Sequence, residues 1–176
     1  MTMNKPPVGI IMGSDSDLPI MQEAAKVCEE FAVAYEITVC SAHRSPDRAH
    51  EYATGAIGRE LKVIIASAGG AAHLAGVMAA NTTLPVIGVP ILWEGGKMEG
   101  VDALVSVAQM PPGIPVATVG INNARNAGLL AIRMLALSDE ALSKKLSNFK
   151  QSLADGVAKK AEKLQKLGYE QYLKAN

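Results

Sequence analysis

The chain has little of what marks secreted, membrane or nucleic-acid-binding proteins. Its two cysteines, Cys28 and Cys40, lie in no zinc-like or paired spacing, which favours a reducing compartment. Lys plus Arg and Asp plus Glu total 17 each, so no basic footprint for nucleic acid is present. The N-terminal segment lacks a signal-peptide core, and no apolar run approaches the roughly 18 residues of a membrane span. We therefore expect a cytoplasmic protein that acts on a small molecule, with neither nucleic acid nor membrane as a partner.

Short apolar runs alternate with amphipathic patterns along most of the chain. The runs predict strands over 8–12, 34–39, 63–66, 85–89 and 116–119, and the patterns predict helices over 18–31, 47–61, 71–81, 98–110 and 123–137. At 176 residues, one domain is the starting expectation. The alternation predicts an α/β fold with a five-stranded parallel sheet and helices on both faces.

Residues 138–176 carry a single apolar stripe at three- and four-residue steps. Its members are Leu142, Leu146, Phe149, Leu153, Val157, Leu164 and Leu167. An unbroken helix of about 29 residues would extend ~43 Å, close to the diameter of the domain. We expect 1–137 to form the catalytic domain, and 138–176 to be a helical extension that packs on neighbouring subunits of a homo-oligomer. The alternative is a break at Gly156, with both halves on their own domain.

The first candidate site loop, "GSDSD", follows the first strand, at the sheet edge where parallel α/β proteins bind ligands. Ser14, Ser16 and the amides of the next helix can hold an anion. An anion would repel a carboxylate, so at least one of Asp15 and Asp17 should face a neutral group such as a ribose diol. The alternative for either aspartate is a helix cap.

The second loop, "SAHRSP", follows the second strand. Ser45 and Pro46 predict a helix start, which places His43 and Arg44 just before it. Arg44 offers a planar fork for phosphate, and His43 can carry a proton near neutral pH. The pair favours a phosphorylated substrate that undergoes proton transfer, with a structural or solvated pair as the alternative.

The third loop, "SAGGAAH", allows close backbone approach at Gly69 and Gly70 and places His73 in the first turn of a helix. It is either a third wall of the pocket or only a tight turn.

Several common cofactors do not fit these loops. "GSDSD" replaces the GxGxxG of NAD-binding domains, and no P-loop lysine is present for ATP. The third strand ends in Ser67-Ala68-Gly69, without the acceptor aspartate of a phospho-receiver domain. Only the two aspartates and distant histidines are available to a metal. We expect no cofactor and no metal.

The motifs, taken in order, resemble a known family. "GSDSD", "SAHRSP", "SAGGAAHL", "LPVIGVP", "QMPPGIPVATV" and "NAGLLA" are similar to the catalytic subunit of phosphoribosylaminoimidazole carboxylase, in its N5-carboxyaminoimidazole ribonucleotide mutase branch, over 8–137. The resemblance implies a flavodoxin-like three-layer αβα fold and a homo-octamer with active sites between subunits. It also implies a reaction in purine biosynthesis that needs neither ATP nor metal.

In that family the carboxylate of the substrate leaves as CO₂, is held in a closed pocket and is added again at carbon 4 of the imidazole. The resemblance makes His43 the residue that moves the proton. It assigns nucleotide binding to Ser14, Asp17 and Arg44 with help from Ser16 and Ser41, and the base and CO₂ side to Gly70, Ala71, His73 and Leu74. Asp17 would then face the ribose diol, while the serines and Arg44 take the phosphate.

The arginine at position 44 resembles the mutase branch of the family. The branch that carboxylates aminoimidazole ribonucleotide directly with CO₂ tends to have lysine after the histidine. The open alternatives are that direct carboxylase and a non-catalytic nucleotide-binding or assembly protein. Three stretches depart from the family pattern: Ala75-Gly76-Val77, a long loop from Leu92 to Glu99 that includes Trp93, and a short 120–125. We expect them to affect the lid, the subunit contacts or the carboxyl source.

Overall fold

Apolar, β-branched runs form the centre of the fold, as the sequence predicts. The structure is a computed structural model that describes residues 5–93 and 95–175. In chain order its elements are β1 Val8–Met12, a 3₁₀ turn Asp15–Asp17, α1 Leu18–Glu30, β2 Tyr35–Val39, α2 Pro46–Thr54, β3 Val63–Gly69, α3 Leu74–Asn81, β4 Val86–Ile91, α4 Val101–Ala108, β5 Ala117–Thr118, α5 Ala124–Ala136 and α6 Glu140–Lys174. The chain divides into two compact units, one ending at Leu135 and the other beginning at Ala136.

The five strands form one parallel sheet in the order β2-β1-β3-β4-β5. Every residue of β1 and β4 is buried, which matches the apolar sequence of strands covered on both faces. The chain leaves β1 toward β2 on one side and returns to β3 on the other. The loops after these three strands therefore meet at a topological switch point, the usual ligand site of such sheets.

Helices cover both faces of the sheet, which confirms the predicted three-layer αβα architecture. On one face, α1 and α5 pack against β1, β3 and β4 through residues such as Met21, Ala127 and Ile10. On the other face, α2, α3 and α4 pack through residues such as Met78 and Ile64. Small side chains let these layers approach closely. A Cβ built on Gly128 of α5 would lie 2.9 Å from the Cβ of Val27 in α1.

Both cysteines are free and buried. Burial raises the pKa of the Cys28 thiol to about 11, so this side chain stays protonated near neutral pH. It packs as a small hydrophobic residue in the core between α1 and the sheet.

Several element boundaries differ from the sequence prediction, and glycines explain most of the differences. The helix predicted over 47–61 ends at Thr54, and hydrogen-bonded turns that include Gly55 and Gly58 continue to the next strand. β3 continues to Gly69, and α3 begins at Leu74 rather than at residue 71, because Gly70 bends the chain with a φ of +60°. β5 is only two residues long.

The second unit consists mainly of α6. Asp139 caps its start by accepting a hydrogen bond of 2.9 Å from the amide of Leu142. The helix runs through Gly156 without a break, so the alternative break at that residue is wrong. The interruption is at Gly168, with φ 71° and ψ 161°. On the apolar stripe, Leu153 is 56% exposed and Val157 67%. Among the described residues, no helix is both long and apolar enough to cross a membrane.

Candidate active site

The loops after β1, β2 and β3 enclose a cavity of about 420 Å³. All ten site residues predicted from the sequence line it: Ser14, Ser16, Asp17, Ser41, His43, Arg44, Gly70, Ala71, His73 and Leu74. The other lining residues are Gly13, Ala42, Ala68, Gly69 and Trp93. The structure therefore brings together the three loops that the sequence placed at the sheet edge.

In the first loop the cap is a serine rather than an aspartate. The hydroxyl of Ser14 accepts a hydrogen bond of 3.4 Å from the amide of Ser16 at the start of the 3₁₀ turn. Asp17 precedes α1 but makes no cap hydrogen bond with its side chain, so the capping alternative is wrong for this residue. Asp15 lies on the exposed side of the turn and does not line the cavity.

The carboxylate of Asp17 is buried, with 4% of the residue exposed. It accepts a hydrogen bond of 3.2 Å from the hydroxyl of Ser67 and one of 3.4 Å from the hydroxyl of Ser16. Burial raises the pKa of Asp17 above its ordinary value, and the two hydroxyl donors partly oppose this shift. A buried carboxylate with lone pairs still available is well suited to accept hydrogen bonds from a neutral diol.

The second loop is closed by its own hydrogen bonds. Ser45 occupies the N-cap position of α2, as predicted, but its hydroxyl turns back into the loop. There it donates to the carbonyl of Ser41 at 3.0 Å and accepts from the amide of Ser41 at 3.1 Å. The Ser41 hydroxyl in turn accepts from the amide of Arg44 at 3.2 Å. These hydrogen bonds fix the backbone that presents His43 and Arg44.

Arg44 links the second loop to the first. Its Nη2 donates a hydrogen bond of 3.1 Å to the carbonyl of Gly13, and its Nε donates to the Ser41 hydroxyl at 3.4 Å. None of the ion pairs in the described part of the chain involves Arg44. Among residues 5–93 and 95–175, no carboxylate therefore balances the guanidinium charge on the cavity, and such a charge is suited to holding an anion.

His43 and His73 contact each other across the cavity. The Nε2 of His43 lies 2.8 Å from the Nδ1 of His73, and the two rings meet edge to face at an interplanar angle of 88°. One ring donates in this hydrogen bond and the other accepts, so a single proton lies between them. The sequence predicted His73 in the first turn of a helix. In the structure it immediately precedes α3. The arrangement can take up and return one proton at a fixed place.

A sequence profile of the AIR carboxylase family matches residues 7–156. The chain belongs to that family. It is 55% identical over 173 residues to the N5-carboxyaminoimidazole ribonucleotide mutase of Pyrococcus horikoshii, covering 98% of this chain and 97% of that protein. It is 53% identical over 173 residues to the phosphoribosylaminoimidazole carboxylase of Candida glabrata, covering 98% of this chain and 30% of that longer protein.

The fold of this AIR carboxylase family member is similar to that of known structures. A crystal structure of PurE from Treponema denticola superposes with a TM-score of 0.81 at 27% identity, over 90% of this chain and 98% of that one. The flavodoxin-like class predicted from the sequence is thereby confirmed.

Two contacts at the site in this AIR carboxylase family member were not predicted from the sequence. Ser67 begins the third site loop in the sequence, but it lies in β3, which continues beyond its predicted end, and its hydrogen bond to the carboxylate of Asp17 was not expected. Trp93 lies after β4 in the long loop, and no pattern in the sequence indicates that its ring reaches the third loop. Glu94, in the same loop, lies outside the described residues. Within 5–93 and 95–175, no three His, Cys, Asp or Glu side chains are grouped to hold a metal ion.

Proposed function

We propose that this chain is an N5-carboxyaminoimidazole ribonucleotide mutase of purine biosynthesis, which forms 4-carboxy-5-aminoimidazole ribonucleotide. The observation that carries the proposal is the hydrogen bond between His43 and His73, on a cavity that is also lined by Arg44, whose guanidinium forms no ion pair with any residue that the structure describes. The name of the Pyrococcus horikoshii relative supports the same reaction.

The nucleotide binds along the first two loops. Arg44 and Ser14 take the phosphate, since both line the cavity and the guanidinium has no carboxylate partner among the described residues. Asp17 accepts hydrogen bonds from the ribose diol, and Ser16 and Ser41 assist by holding Asp17 and Arg44 in place. This division keeps the buried carboxylate away from the phosphate charge.

The chemistry takes place at the third loop. His43 gives a proton to the carbamate nitrogen, and the bond between that nitrogen and the carboxyl carbon breaks, so that its electron pair stays on nitrogen and CO₂ is released. Carbon 4 of the imidazole then attacks CO₂, and the proton on carbon 4 returns to His43, so the proton balance closes. Gly70, Ala71 and Leu74 line this end with backbone and small apolar surface, which keeps CO₂ close to carbon 4 and raises its effective concentration.

The same proposal includes a cytoplasmic homo-octamer with active sites between subunits. The exposed apolar side chains along α6, Leu153 and Val157 among them, are suited to contacts between subunits. The free cysteines, Cys28 and Cys40, are typical of a reducing compartment.

The catalytic proposal is tested by incubating the protein with N5-carboxyaminoimidazole ribonucleotide, without ATP or bicarbonate, and following the product by ultraviolet absorbance. We expect turnover with the natural chain and none with His43→Asn, which should still bind the nucleotide. A second candidate is direct carboxylation of aminoimidazole ribonucleotide, favoured by the name of the Candida glabrata relative. Turnover only from aminoimidazole ribonucleotide with added CO₂ would establish the direct carboxylase. No turnover of either substrate would favour a binding or assembly protein.

Assembly is tested with one substitution on the stripe and one beside it. Val157→Asp places a charge on the apolar stripe of α6, whereas Lys159→Asp changes an exposed polar position on the opposite face of the same helix. Light scattering should give a smaller mass for Val157→Asp and an octamer for Lys159→Asp. Octamers from both variants would show that the stripe does not hold the subunits together.

A further inference from the structure

Trp93 is the single tryptophan of the chain, and it lines the candidate active site although it belongs to none of the three site loops. It follows β4, and 49% of the residue is exposed. Large aromatic side chains at this level of exposure on a cavity wall are common where a ligand completes their burial.

Glycine backbone surrounds the indole on several sides. A Cβ built on Gly69 would lie 3.1 Å from the Cδ1 of Trp93, and one built on Gly96 would lie 3.1 Å from its Nε1. A Cβ on Gly70 would lie 3.6 Å from the same Nε1. The amide of Gly96 also donates a hydrogen bond of 3.0 Å to the carbonyl of Trp93. The ring thus occupies space that side chains at Gly69 and Gly96 would contest.

The position of the indole defines the part of the substrate that it can reach. It lies against Gly69 and Gly70, the start of the loop that carries His73, whose ring contacts His43. It therefore belongs to the end of the cavity where the proton moves. A flat apolar surface there can cover an imidazole face, and it gives a small uncharged molecule such as CO₂ a wall without water.

We infer that Trp93 contacts the base of the bound nucleotide and forms the wall that keeps released CO₂ beside carbon 4. This inference rests on the proposed mutase function. If the wall is removed, CO₂ escapes before it is recaptured, and the reaction then ends as aminoimidazole ribonucleotide plus CO₂.

The contact is tested by intrinsic fluorescence, since all tryptophan emission comes from this residue. Aminoimidazole ribonucleotide is titrated into the natural protein without CO₂, and its binding is measured independently by calorimetry. We expect the emission to change in intensity and wavelength, with the same midpoint as the calorimetric curve. Calorimetric binding without a change in emission would overturn the contact.

The retention of CO₂ is tested by the ratio of products from N5-carboxyaminoimidazole ribonucleotide, after subtraction of the rate without protein. Trp93→Ala should raise the ratio of aminoimidazole ribonucleotide to 4-carboxy product by about fivefold or more, because recapture depends on how long CO₂ is held. Trp93→Phe keeps an aromatic wall and should stay within about twofold of the natural protein. A lower rate with an unchanged ratio in Trp93→Ala would overturn the role.

A third variant covers the case in which Trp93→Ala does not fold, as judged by circular dichroism. Gly96→Ala retains the indole but contests its place, since the three nearest atoms to the added Cβ all belong to Trp93, and it should raise the same ratio. If the natural protein makes no 4-carboxy product at all, it is the mutase proposal that fails. If the natural protein is active and neither variant changes the ratio, only the role of Trp93 fails.

Discussion

The hydroxyl of Ser67 donates a hydrogen bond of 3.2 Å to the carboxylate of Asp17, although 50 positions separate the two residues in the chain. Ser67 is fully buried near the end of β3, in register with Met12 of β1. The contact therefore joins the end of β3 to the loop that follows its neighbour, β1. The hydrogen bond favours the ionised form of Asp17 on the cavity wall, whereas burial disfavours it.

Asp17→Asn should separate stability from binding. Burial raises the pKa of Asp17 in the folded protein, so ionisation costs stability as pH rises from the unfolded value of roughly 4 through the folded value. We expect the variant to unfold at a higher temperature than the natural protein near pH 7.5, with the difference vanishing at about pH 4 and below. KM should rise about tenfold, because a charged acceptor for the diol is lost.

Glu51→Gln is the control, since Glu51 is exposed, does not line the cavity and is not among the groups that shift the pKa of Asp17. Thermal unfolding followed by circular dichroism across the pH range gives the comparison. A lower unfolding temperature for Asp17→Asn at pH 7.5 would contradict a net cost of burying the charge.

His73→Asn and His73→Leu should differ in activity. Asparagine can place a hydrogen-bonding atom near the position of Nδ1 and so still orient His43, whereas leucine cannot. We expect kcat to fall about tenfold for asparagine and about a hundredfold or more for leucine, with a changed pH profile in both. Equal losses of kcat, measured from pH 6 to 9, would show that the contact does not orient His43.

Arg44→Lys should weaken nucleotide binding by about tenfold or more, because a point charge replaces a planar fork. It also removes a donor to the carbonyl of Gly13. Calorimetric titration with the 4-carboxy product measures the change. Arg48→Lys serves as the control, since Arg48 donates a hydrogen bond to the hydroxyl of Thr38 and does not line the cavity of the candidate active site. Equal affinities for the two variants would remove Arg44 from the phosphate site.

Gly128→Ala and Gly156→Ala should change stability in opposite directions. The first inserts a methyl group where α5 meets α1, 2.9 Å from Val27, and should cost about 1–3 kcal/mol. The second adds a methyl group to a helical glycine with nothing within 4 Å, and should contribute about 0.5–1 kcal/mol. Urea unfolding measures both, and a stabilised Gly128→Ala would show that the two helices have room to separate.

Local patterns predicted the start of every strand to within one residue, whereas β3 and β4 continue three and two residues past their predicted ends. Val8–Met12 is found at its predicted bounds, because a continuous apolar run ends at a glycine there. Helix ends were less predictable. The bend at Gly70 depends on a left-handed φ that glycine permits but does not impose, and the turn after Thr54 begins at Gly55 in the ordinary αR conformation. α6 continues through Gly156, a residue at which the sequence left a break open, because glycine lowers helix propensity without preventing a helix.

The candidate site could be located from sequence because its loops follow strands, but its contacts could not. The hydrogen bond between His43 and His73 joins loops that lie on opposite sides of β1. The turn of the Ser45 hydroxyl back to Ser41 was missed because a cap and a loop contact compete for the same oxygen. The place of Trp93 depends on four glycines, Gly69 and Gly70 after the third strand and Gly95 and Gly96 in its own loop, which no local pattern connects.

The hydrogen-bonded ring between Ser41 and Ser45 has a consequence for the thermodynamics of binding. Fixing one residue of a flexible loop costs roughly 1–2 kcal/mol of conformational entropy. In this protein the loop is ordered by its own short-range contacts, so that cost is met during folding rather than when a nucleotide arrives. The loop therefore presents a preorganised surface to every ligand that enters, and the contacts that a ligand makes with Arg44 can add to its affinity without that cost.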